Sequence, residues 1–94
     1  PQSNGESILI NVPALTEERR REFVKNAKGE GEAAKVSVRN NRKEANDYLK
    51  KLKGEGLSED RTKNLESIVQ ELTNETIASI DALIVKKEAD IMTI

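Results

Sequence analysis

Ninety-four residues with no Cys and no His make one domain at most, and exclude disulfides, thiolate metal sites, cysteine nucleophiles and the usual near-neutral proton shuttle. Two aromatic residues, Phe23 and Tyr48, set against 35% charged and 35% hydrophobic residues suit long, solvent-washed helices better than a thick globular core. The net charge of −1 averages two unlike stretches: Thr16 to Lys53 carries 12 Lys/Arg against 7 Asp/Glu, and Ser58 to Met92 carries 4 against 8, so one can face an anionic partner while the other repels it.

Residues 1–7 are polar, with Asn4-Gly5 as a turn signal. Ile8 to Val12 is a β-prone run too short to be stable alone, and Pro13 ends it. Residues 1–15 therefore read as a remnant strand and linker, and the opening Pro1 as the mark of a processed or truncated product. Thr16 is an N-cap, followed by Glu17 and Glu18 where a helix dipole favours acids. The helix is expected to run to about Lys53, roughly 56 Å at the standard rise. Gly29 and Gly31 weaken it and mark a place for a bend. Gly54-Glu55-Gly56 breaks the pattern, and Ser58 caps a second helix that runs to about Met92. A connection of about four residues between two long helices forces an antiparallel hairpin over residues 16–94.

Apolar residues recur at helical steps in both segments. Phe23, Ala27, Ala34, Val38, Ala45, Leu49 and Leu52 mark the first; Leu65, Ile68, Val69, Leu72, Ile77, Ile80, Leu83, Ile84 and Ile91 mark the second. The sets Val69/Ile80/Ile91 and Leu72/Leu83/Ile94 repeat every 11 residues, which favours a nearly straight or slightly right-handed bundle. The second helix has an apolar face wider than one neighbour covers. The fold class is all-α: two helices of what should be a three-helix bundle, after a short extended segment. No apolar run approaches the roughly 18 residues that span a bilayer, and no signal peptide is visible.

On a helical wheel centred on Val38, Lys28, Lys35, Arg39, Arg42 and Asn46 lie about 40–100° from the apolar seam, and Arg21, Lys25, Lys43 and Lys50 extend the stripe to about 140°. Such a Lys/Arg track neutralises phosphates, and arginine adds a planar fork. A solvated charged flank is the plainer account of the same pattern; sign segregation and the acidic second helix favour nucleic acid. Without aromatic platforms, structured RNA fits better than stacked single strands. Glu17, Glu18 and Glu22 are helix-start acids, Ser58 has no base partner, and Gly29-Glu30-Gly31 follows no strand, so no catalytic, metal or cofactor site is expected. Asn41 interrupts the apolar pattern, as a buried polar contact or a register device would.

The run from Val12 to Arg20 (VPALTEERR) resembles the entry to the second helix of bacterial ribosome recycling factors, and the run from Val38 to Asp47 (VRNNRKEAND) resembles that family's most specific motif. Leu72-Thr73, Ile80-Asp81 and Lys87-Glu88-Ala89 match its ending. The resemblance implies an L-shaped protein with a three-helix arm and an inserted β-rich domain. It implies a cytoplasmic, non-enzymatic factor that binds large-subunit ribosomal RNA and, with elongation factor G, splits post-termination ribosomes. It carries over Arg20, Arg39 and Arg42 as RNA contacts, joined by Lys35, Lys43 and Asn46 from the basic flank. Asn41 departs from the family, which has an apolar residue there. The first helix and most of the inserted domain are absent, so two hairpins should pair through their exposed seams. The competing reading is a structural adaptor that binds partner helices and no RNA.

Overall fold

The computed structural model describes residues 16–93. Two helices make up the described fold: α1, Glu17–Gly54, and α2, Glu59–Met92. They lie antiparallel in a rod of 69 × 22 × 18 Å. The strand and linker expected within residues 1–15 lie outside the described residues.

Both helix starts follow from their caps. The Thr16 hydroxyl accepts from the Arg19 N–H at 3.1 Å, and the Ser58 hydroxyl from the Arg61 N–H at 3.2 Å. Two acids follow each cap, at the positive end of the dipole. The turn needs one glycine: Gly56 sits at φ 116°, the Leu57 N–H donates to the Leu52 carbonyl at 2.9 Å, and the Gly56 N–H donates to the Lys53 carbonyl at 3.2 Å. That pair of bonds is a Schellman closure. Residues 55–58 form the four-residue connection expected from the sequence.

The side chains that α1 turns toward α2 follow an 11-residue rhythm. Arg20/Gly31/Arg42, Val24/Lys35/Asn46 and Ala27/Val38/Leu49 are half-buried or buried, as are Ala45 and Leu52, and across from them lie Thr62/Thr73/Ile84, Glu66/Ile77/Glu88 and Val69/Ile80/Ile91. An 11-residue period is the one that favours straight or slightly right-handed contact. Buried Thr62 and Thr73 satisfy their hydroxyls inside α2, on the carbonyls of Ser58 (2.8 Å) and Val69 (2.7 Å), so their methyl groups can serve the interface.

α1 runs as one continuous helix through Gly29 and Gly31, without fraying at either. The two glycines differ in surroundings. Gly31 is buried, and a Cβ there would collide with the Ile84 side chain, 2.7 Å from its Cγ1, whereas a Cβ at Gly29 meets open space. Gly29→Ala should therefore stabilise the hairpin by about 1 kcal/mol through helix propensity. Gly31→Ala should destabilise it by about 1–2 kcal/mol, overpacking outweighing the same propensity gain. Urea titrations of both variants test this; two shifts of the same sign would contradict the close approach at Ile84.

Only part of the apolar surface is covered. Leu49, 8% exposed, is the one large apolar side chain among the described residues that is buried, while Leu72 and Leu83 stand 57% and 66% exposed. Phe23, Ala34, Leu65 and Ile68, expected in the seam, are also exposed. The wide arc of α2 thus splits, one edge against α1 and the other open. An apolar edge left open in this way is what a two-helix hairpin presents when one neighbour is too narrow to cover it.

Candidate nucleic-acid interface

Antiparallel pairing brings the basic flank of α1 alongside acids of α2. Lys28 meets Glu88 at 3.4 Å, Lys35 meets Asp81 at 2.8 Å, and Lys53 meets Glu59 at 3.7 Å. Lys35 also holds Glu32 at 2.9 Å, and its side chain is only 12% exposed. Hydrogen bonds to Asp81, then to Glu32, raise the Lys35 ammonium above its ordinary value against opposing desolvation. A raised lysine contributes stability that is complete below the unfolded value, near 10.4, and is lost as pH rises through the folded value. The melting temperature should therefore fall above about pH 10.5, and Asp81→Asn should remove part of that fall. Melts of both proteins between about pH 8 and 11.5 test this; identical alkaline profiles would contradict it.

The six residues expected at the site do not share one environment. The Arg20 guanidinium donates to the carbonyls of Ile91 at 2.6 Å and Thr93 at 3.2 Å. The last turn of α2 has no basic residue of its own, so Arg20 supplies the cation at the negative end of its dipole. Lys35 is committed to Asp81 and Glu32. Asn46 is half-buried, and its Oδ1 is buried without a hydrogen-bond partner. Arg42 is half-buried and borders an open groove with Asn41, Thr73 and Thr76. Arg39 and Lys43 are exposed, one turn apart on the same flank.

Ion pairing sorts these cations. Among the described residues Lys25, Arg39, Arg42, Lys43 and Lys50 form no ion pair. Arg39, Lys43 and Lys50 are exposed along a stretch of about 16 Å of the helix, and half-buried Arg42 between them borders the groove against α2. Sequence reasoning treated all the cations alike. Lys28 and Lys35 are seven residues apart, and so are Asp81 and Glu88, which is the signal that an antiparallel ladder would consume them.

No group of His, Cys, Asp and Glu able to hold a metal exists among the described residues, and no described helix is long and apolar enough to cross a membrane. The fold defines an elongated helical scaffold whose chemistry is an unpaired cationic flank and an open apolar face. Residues 1–92 match the family described as ribosome recycling factor. Over 94 residues the chain is 55% identical to the ribosome-recycling factor of Cytophaga hutchinsonii and 54% identical to that of Flavobacterium johnsoniae, in each case all of this chain and 50% of the relative. The Bordetella petrii ribosome-recycling factor is 53% identical over 95 residues, 51% of its length. The chain belongs to the ribosome recycling factor family, and it spans about half the length of the curated relatives it matches.

Proposed function

We propose that this chain is the RNA-contacting helical part of a ribosome recycling factor, a non-enzymatic cytoplasmic translation factor. The observation that carries this reading is the unpaired flank of α1: Arg39 and Lys43 exposed, Arg42 and Lys50 unpaired beside them, on a helix whose Lys28, Lys35 and Lys53 already meet acids of α2. Phosphates of large-subunit ribosomal RNA are the partner that such a row neutralises. Arg20, Lys35 and Asn46 support the contact from behind, by holding the end of α2, fixing the register and lining the interface. The open face is covered by a third helix from the half of the family's length that this chain does not span. Joined to that half, the hairpin acts with elongation factor G to split post-termination ribosomes.

Four phosphate contacts would make binding to purified large subunits about a hundredfold weaker at 200 mM than at 50 mM salt. The open apolar face supports a second reading, an adaptor for partner helices. Its contacts are apolar, so binding that is unchanged across that salt range would favour it and overturn the RNA reading.

A further inference from the structure

The open face is apolar along most of its length and polar in the middle. Toward the free end of the hairpin it is floored by Ala27, Ala34, Ile80 and Leu83. Toward the turn it is floored by Val38, Ala45, Val69 and Leu72, but there Asn41 and Thr76 border it as well, with Arg42 and Thr73 at the same groove. Asn41 is exposed and makes no side-chain hydrogen bond to another described residue. The Thr76 hydroxyl donates its proton to the Leu72 carbonyl at 2.8 Å, which leaves its oxygen free to accept. A helix laid over this face would strip water from the Asn41 amide, and a buried amide with no partner weakens the contact by about tenfold or more.

We infer that the face takes an amphipathic helix bearing an amide side chain, Asn or Gln, opposite Asn41 and Thr76, and that this polar pair fixes the register of the third helix. The inference rests on the proposed third helix. Its source is the family's remaining length, since the relatives are about twice as long as this chain. An amide has separate acceptor and donor atoms, so it can accept from the Asn41 NH2 while donating to the oxygen of Asn41 or Thr76. Apolar stripes on either side tolerate sliding by a repeat, whereas one satisfied polar pair does not.

Two synthetic helices of about 25 residues, long enough to cover both stretches, carry the same leucine stripe and differ only at the central position, Gln in one and Leu in the other. Titrated into the native chain, the Gln helix binds about tenfold tighter than the Leu helix; on Asn41→Val the preference reverses. Asn41→Ala, which adds no bulk, loses the Gln preference while keeping native helicity, and stands in if the valine variant is poorly folded. Equal affinity of the two helices for the native chain, or tighter binding of the Leu helix, overturns the register pair while leaving the third-helix reading intact. If neither helix binds any of the chains, the third-helix reading fails and this inference falls with it.

Discussion

A chain carrying Leu72→Lys and Leu83→Lys should stay monomeric at concentrations, on the order of 100 µM, at which the native chain is expected to pair into a four-helix assembly. The driving force is the uncovered edge of α2. Leu72 and Leu83 are 57% and 66% exposed, on the same strip as exposed Leu65. Burying a leucine fully is worth about 1.5–3 kcal/mol, and self-pairing places both leucines of each chain against an identical surface. Lysine at both positions removes that gain and sets four like charges in the contact, while α1 continues to pack on the other edge of α2. Light scattering of the two proteins checks this. A native chain that is folded and strictly monomeric at that concentration would show that the open face does not drive association.

The second large effect concerns RNA. Arg39→Ala/Arg42→Ala should weaken binding to large ribosomal subunits by about a hundredfold at moderate salt and make the slope of log affinity against log salt shallower by about two. Lys28→Ala should do much less, since that ammonium already faces Glu88 at 3.4 Å. Arg39→Lys/Arg42→Lys should fall between, keeping charge but losing the planar fork. Equilibrium binding at three salt concentrations measures all of these. Equal losses in the Lys28 and Arg39/Arg42 variants would mean that net charge, not the unpaired flank, governs the contact.

The hairpin was legible because its signals are local. Thr16 and Ser58 are caps with acids behind them, Gly56 supplies the left-handed residue of the turn, and both helix ends fall within a residue of expectation. The 11-residue repeat of Val69, Ile80 and Ile91 was visible as well. What could not be read was which edge of a broad apolar arc a single neighbour would take. A wheel centred on Val38 puts Phe23 and Ala34 in the seam, but α1 turns Gly31 and Lys35 toward α2 instead, because the Gly31–Ile84 approach and the Lys35–Asp81 pair fix a rotation that apolar spacing leaves free. The same rotation buries Thr62 and Thr73, which a hydropathy pattern counts as polar. At the candidate site, the segregation of cations was legible, but their division into paired and unpaired groups was not, since it depends on the partner helix. The engagement of Arg20 with the end of α2 joins residues more than 70 apart in sequence; the wheel places Arg20 near the seam but cannot give its partner.

The chain has no cysteine, so a single introduced thiol can carry a photo-crosslinker to one chosen surface. Asp47→Cys places it beside Lys43 and Lys50 on the unpaired flank of α1, and Ala78→Cys places it at an exposed position of α2. With purified large subunits, the account predicts a crosslink to ribosomal RNA from position 47 that disappears at high salt, and none from position 78. Crosslinking from position 78 alone, or equally from both, would contradict the assignment of RNA contact to α1.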